Sequence, residues 1–313
     1  MAAAAAAAAS QGGVHGVDDD DDDRDRNLWL YALGGHDGSK RLNTVERWNQ
    51  TTKVWETVAP MLSTRDAGTA AVVNGQLYAI EGYNSGVWMN TMERYDVAGN
   101  KWEPRAPMHV TRAHFAAATL RGHIYALGGV EGCRTTAVDR YDPATDTWTS
   151  VAHMQNARRE LAAAVLHDRL YALGGYGYGP MNTVERYDPD TNTWETCALM
   201  PTGRWCHAAA ALNGHIYVVG GWVPGNDYSA TMDRYDPATN TWSSCAPMKV
   251  GRSDLGAAVI EGHLYAVGGC KVHADASSDV EQYDPASDSW ETLPPMPTAR
   301  FSHGVAAVPH PDA

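Results

Sequence analysis

Apolar and polar positions alternate along this chain in short runs, with no helical spacing. From residue 158 to 197 the apolar run "RRELAAAVL" is followed by "HDR", then "LYALGG", the loop "YGYGPMN", the alternating "TVERY", the turn "DPDTN" and a last run, "TWETC". Runs of this length, separated by Gly-, Pro-, Asn- and Asp-rich breaks, predict four antiparallel strands. Pro at the second position of "DPDTN" suits a tight turn, because its ring fixes φ.

The same pattern returns along the rest of the chain. Tyr-x-x-x-Gly occurs at Tyr31, Tyr78, Tyr125, Tyr171, Tyr217 and Tyr265, spaced 47, 47, 46, 46 and 48 residues apart. A Trp follows each at a similar offset: Trp55, Trp102, Trp148, Trp194, Trp242 and Trp290. A fixed period of this size is the signature of a repeat architecture. One four-stranded sheet cannot bury both faces, but stacked sheets can. The prediction is therefore an all-β, six-bladed propeller of four-stranded antiparallel blades. The first strand of each unit is rich in small residues, as in "HFAAATL" and "HAAAAL", which suits the crowded axis. The repeats begin at "LWLYALGG", a second strand with no first strand before it, and end at "RFSHGVAAV", a first strand with no second after it. Residues 300–308 are thus expected to pair beside residues 28–35 and close the ring.

Composition adds boundaries. Residues 1–26 carry an alanine run and Asp18–Asp23; their net charge of −5 leaves −8 on the remainder. Such a segment buries nothing and is expected to be disordered. The propeller is assigned to 27–308, with a short tail at 309–313. A net charge of −13 argues against general nucleic-acid binding. No run is apolar enough to predict a membrane span. Five Cys without a C-x-x-C pair suggest reduced thiols, as in cytoplasm or nucleus.

The Gly-Gly doublets, the Tyr of the third strand, the Trp of the fourth and the Met-x-x-x-Arg linkers together resemble the kelch repeat. "MNTVERYDPDTNTWETCALM" (181–200) is close to that family's pattern, and the resemblance covers about 280 residues. It is nearest to the propellers of kelch-like proteins, which follow BTB and BACK domains and serve as substrate receptors for cullin-3 ubiquitin ligases. Only the 26-residue tail precedes the repeats here. The resemblance accordingly implies protein recognition and does not establish ligase membership. Three departures stand out: Glu81 in place of the first Gly of a doublet, Trp48-Asn49 in place of Tyr-Asp, and "VAGNKW" without its Pro. Glu81 is expected to distort blade 2 slightly. Either the position tolerates a side chain, or Glu81 points toward the channel mouth.

Comparing the units separates scaffold from site. Arg65, Arg112, Arg158, Arg204, Arg252 and Arg300 recur and read as structural, with hydrogen bonds between blades expected. The acidic-Arg-Tyr strings and the blade tryptophans read the same way. The residue after each doublet varies (His36, Tyr83, Val130, Tyr176, Trp222, Cys270), as does the residue after each recurring Arg (Asp66, Ala113, Arg159, Trp205, Ser253, Phe301). Both sets belong to the face bearing the strand 2–3 loops and the linkers between blades. In kelch-like proteins that face grips the partner. Trp205 and Trp222 are expected to stand together on it, joined by Tyr83, Trp88, Tyr176, Tyr178 and Tyr228, with Lys40, Arg41, Arg134, Arg159 and Lys271 as cations. Aromatics and Arg are enriched at interface hot spots. The partner-binding set is Trp205, Trp222, Tyr176, Tyr83, Arg159, Arg41, Trp88, Tyr228, His36, Ser253 and Phe301, and an acidic protein or peptide is the expected partner. A cullin or BTB link, or binding to actin, is implied only by family resemblance.

Thirteen His invite a metal or catalytic reading. His114 is one residue out of step with His207 and His303, so the three are not expected to converge. No metal, cofactor or catalytic set is assigned. Some kelch propellers are epimerases, oxidases or iron-dependent specifier proteins, so a small-molecule enzyme is the alternative, as is a cytoskeletal scaffold. The specifier signature Glu-x-x-x-Asp-x-x-x-His is absent.

Overall fold

The computed structural model describes residues 28–84, 86–225, 228–271 and 275–309. The expected N-terminal tail and residues 310–313 lie outside the described residues. Among the described residues there are strands and no helix. Blade 1 holds β1 (Leu28–Leu33), β2 (Val45–Asn49) and β3 (Val54–Val58), with the C-terminal strand Gly304–Pro309 as its innermost member. Blade 2 is β4 (Thr69–Val73), β5 (Gln76–Asn84), β6 (Val87–Asp96) and β7 (Lys101–Arg105). Blades 3 to 6 repeat this meander, beginning at Ala116, Ala162, Ala208 and Gly256. Each innermost strand touches its two neighbours, and the circle closes where Gly304–Pro309 meets blades 2 and 6.

Closure follows the expected pairing. Leu28 to Leu33 pair antiparallel with Pro309 to Gly304, one residue beyond the expected end of the propeller. Each apolar cluster lies between two blades rather than inside one. Tyr31, Leu33 and Val45 of blade 1, for example, pack on Val72, Ala79 and Trp102 of blade 2. The blade tryptophans add a polar tie, because each indole N–H donates to a carbonyl of the neighbouring blade's linker, as Trp194 does to Ala152 at 2.8 Å. Tyr hydroxyls of the third strand close the following turn, as from Tyr187 to Asn192 at 2.8 Å.

The recurring arginines are structural, but their side chains bond within a blade. Arg158 donates to the carbonyls of Gly174 and Thr183 at 2.9 and 3.0 Å and pairs with Glu185 at 2.5 Å, all in blade 4. The other five repeat the set, down to the paired acid. The link between blades runs through the arginine's own carbonyl, which accepts from the second Gly of the preceding doublet, as from Gly175 to Arg204 at 2.9 Å. The acid completes the latch: Glu185 also accepts backbone N–H groups from Gln155 and Asn156 in the incoming linker. A guanidinium and a carboxylate are thus buried together with their hydrogen bonds largely met.

Glu81 distorts blade 2, as expected. The β5–β6 register shifts between Ile80 and Gly82, and Glu81 has φ of 48°. Its side chain is fully buried, close enough to act electrostatically on Arg65, and does not line the mouth.

Candidate functional site

Two variable columns of the sequence form the rim, and the structure pairs them one to one. His36 bridges Phe301, Tyr83 bridges Asp66, Val130 bridges Ala113, Tyr176 bridges Arg159, Trp222 bridges Trp205, and Cys270 bridges Ser253. The doublet makes this approach possible. At Gly221, φ is 90° and a Cβ would lie 2.7 Å from the Trp205 carbonyl. With no Cβ there, Trp222 and Trp205 exchange backbone hydrogen bonds of 2.8 and 3.2 Å.

Beneath the rim lies a feature that the sequence did not suggest. The second residue after each recurring Arg is Ala67, His114, Glu160, Cys206, Asp254 or Ser302, all with φ between 52° and 58°. The N–H of each donates to the carbonyl of the one before, from His114 to Ala67 at 3.3 Å round to Ala67 to Ser302 at 3.1 Å. The result is a closed circuit of six backbone hydrogen bonds. Left-handed backbone at non-glycine residues costs about 1–3 kcal/mol each, and the circuit is what holds it.

Ring chemistry is unequal from blade to blade. Burial pushes the Glu160 carboxyl up to about 7, against the pull of Arg159. Burial likewise raises Asp254 to about 6, although Ser253, Cys206 and Ser302 donate to it. His114 is lowered to about 3, chiefly by burial and also by Arg159, so its imidazole is neutral. Burial and the Asp254 charge hold the Cys206 thiol well above its ordinary range. His207 and His303 are not part of the ring; they lie one residue further on, fully buried, with their rings against Gly174 and Gly268 of the preceding blades.

Over blades 1 and 2 the rim opens into a cleft of about 440 Å³. Arg41 lies over the Tyr83 ring at 4.7 Å, and its Nε donates to Asp66 at 3.2 Å. The His36 and Phe301 rings pack at 5.2 Å on one side, and Trp88 faces Tyr83 across the β5–β6 hairpin. Ala67 and His114 of the ring also line the cleft.

Over blades 4 and 5 the rim is a wall. Tyr176 meets Trp205 edge-on at 5.4 Å, Trp205 stacks on Trp222 at 5.8 Å and 17°, and Trp222 meets Tyr228 at 4.8 Å. Arg159 caps Tyr176 at 5.3 Å, and Arg134 lies 4.9 Å over the fully exposed Tyr178. The expected rim aromatics are therefore brought together in two groups. Ser253 is the exception, buried with its hydroxyl on Asp254. The cations are less available than their sequence positions suggest. Arg41 pairs with Asp66, Arg159 lies 3.5 Å from Glu160, and Lys271 pairs with Asp279 at 2.5 Å.

The sequence profile of the Attractin/LZTR1 beta-propeller matches residues 77–310, and the Kelch motif matches residues 30–62. Kelch-like protein 21 of Rattus norvegicus is 41% identical over 46 residues, a match covering 15% of this chain and 8% of that protein. Among solved structures, the structure of YjhT superposes with a TM-score of 0.71 at 16% identity, over 84% of this chain and 97% of the other. At that identity the likeness speaks for the fold alone.

Proposed function

This chain belongs to the Attractin/LZTR1 beta-propeller family, and from that premise we propose that it is a non-enzymatic recognition module that holds a partner protein segment across the rim. Kelch propellers typically serve as protein-interaction modules. The observation that carries the reading is the half-buried aromatic run Tyr176–Trp205–Trp222–Tyr228, set on a scaffold whose recurring positions are already satisfied internally. Large rigid side chains lose little entropy on contact, and such residues dominate interface energetics. Arg41 supports an acidic residue in the partner. Its face is taken by Tyr83 and its Nε by Asp66, which leaves the far edge of the guanidinium facing the cleft.

A substrate-receptor role in ubiquitin ligation is the finer form of this proposal and rests on family resemblance alone. The site of action we favour is the cytoplasm, in keeping with five free cysteines. The cleft, with His114 and Asp66 on its walls, favours the small-molecule alternative. Comparative affinity purification with wild type and a Trp205→Ala/Trp222→Ala double variant of equal fold separates these readings. The expected result is a prey lost from the variant, which then binds the purified wild-type chain directly and the variant at least about 30-fold more weakly. A prey set identical for both baits would remove the wall from the site, and turnover of a small molecule without any specific prey would favour the enzyme.

A further inference from the structure

The ring beneath the rim holds two buried carboxyls in unequal states. Asp254 is satisfied: Ser253 donates to one oxygen at 2.7 Å and Ser302 to the other at 3.3 Å, and the Cys206 thiol donates as well. Glu160 is not. Its side chain is 4% exposed and accepts no hydrogen bond among the described residues. Arg159 Nη1 lies 3.5 Å and His114 Nδ1 3.7 Å from its Oε1. Arg159 is a third exposed and drawn outward over Tyr176, while His114 is neutral. Two carboxyls therefore face one displaced guanidinium.

This place is reachable from the face. His114, against which Glu160 sits, lines the cleft together with Ala67, the ring residue with the smallest side chain. Among the described residues no three His, Cys, Asp or Glu side chains converge as metal ligands. What fits two buried carboxyls set back from the cleft is a compact cation on a thin stem. A guanidinium would have to carry its whole planar fork past His114, whereas an ammonium is a compact charge on a flexible stem.

We propose that Glu160 and Asp254 form an axial subsite for a protonated primary amine, supplied by a lysine side chain of the partner entering past His114. The inference rests on the reading of this face as a binding face. Among the described residues, the groups facing Glu160 are His114, Arg159, Cys206 and Asp254; those facing Asp254 are Ser253, Ser302, Cys206, Cys270 and Glu160. With Glu160 titrating at about 7, protons compete with the amine. Affinity should then be about tenfold weaker at pH 6 than at pH 8.

The test is an NMR titration of the full chain with acetyl-Gly-Lys-Gly-amide, with no partner present, so its failure leaves capture by the aromatic wall untouched. We expect saturable one-to-one binding at pH 8, at least tenfold tighter than that of acetyl-Gly-Gln-Gly-amide, weakening toward pH 6 and lost in Glu160→Gln. An Ala67→Met variant, which narrows the opening and leaves both carboxyls, should weaken binding as well and serves if Glu160→Gln fails to fold. No saturable binding at pH 8, equal binding of the Gln peptide, or unchanged binding by both variants would overturn the proposal. Tighter binding of Gly-Gly-Gly-amide would overturn the assignment to lysine in favour of a chain-terminal amine.

Discussion

The two halves of the rim are built on one backbone plan and end in opposite states. In blade 2 the bridged pair is Asp66 and Tyr83; in blade 5 it is Trp205 and Trp222. A short acid opposite a Tyr leaves a hollow, which Arg41 enters from blade 1. Two indoles opposite each other fill the same space and stack. The comparison teaches that the bridge fixes where a side chain stands, while its bulk decides whether the face is a cleft or a wall. One is suited to admit a group, the other to be covered by one.

The largest test concerns what both halves share. Arg65→Ala under the cleft and Arg204→Ala under the wall should each destabilise the fold by about 3–5 kcal/mol, because Glu93 or Asp233 is left buried and unpaired. Chemical denaturation measures both. A marked inequality would mean that the halves do not rest on equivalent latches. Next in size, Trp205→Ala/Trp222→Ala should cost at least about 2 kcal/mol of partner affinity in calorimetry, whereas Tyr83→Ala should cost less.

Acid should strain both halves together. His207 lies behind the wall and His303 beside the cleft, and burial holds both imidazoles well below their ordinary range, with Arg204 and Arg300 adding to it. The unfolded chain takes up protons below about pH 6.5 that these folded histidines refuse, so their contribution, intact above that value, is lost as pH falls. Glu160 and Asp254 act with the opposite sign, since carboxyls raised to about 7 and 6 favour the fold below those values. A His207→Leu/His303→Leu variant, copying Leu161 and Leu255 of the same column, should gain stability over wild type at pH 5 and differ little at pH 8, as read by denaturation. The smallest effect is expected from Asp66→Asn. It releases Arg41 and should change affinity for an acidic peptide by about 1 kcal/mol or less, toward tighter binding.

Much of this was legible in the residues. The Tyr and Trp columns gave the blade count, the unmatched first and last strands gave the closure, and variation among units singled out Trp205 and Trp222. The arginine latches were found but assigned across blades, because a repeat period cannot tell a contact within one unit from the same contact with the next. The ring was missed for a physical reason. Strand alternation was used only to keep His114 from converging with His207 and His303, and it could not show that His114 shares a column with Cys206; their φ values are 58° and 53°, and alternation does not hold through a left-handed residue. Six unlike side chains in one column also gave no pattern to notice, although the column lies two residues after an Arg that never varies.

The circuit of six peptide groups has a further consequence. Every N–H in it points to the carbonyl of the preceding blade, so the peptide dipoles run head to tail around the axis. Dipoles aligned along a helix sum to a field at its end; dipoles arranged tangentially in a closed loop cancel along the axis they encircle. The backbone therefore imposes almost no polarity of its own on whatever approaches the channel. The sign of the potential there is left to six side chains, and a single substitution in any blade can rewrite it without disturbing the loop that presents it.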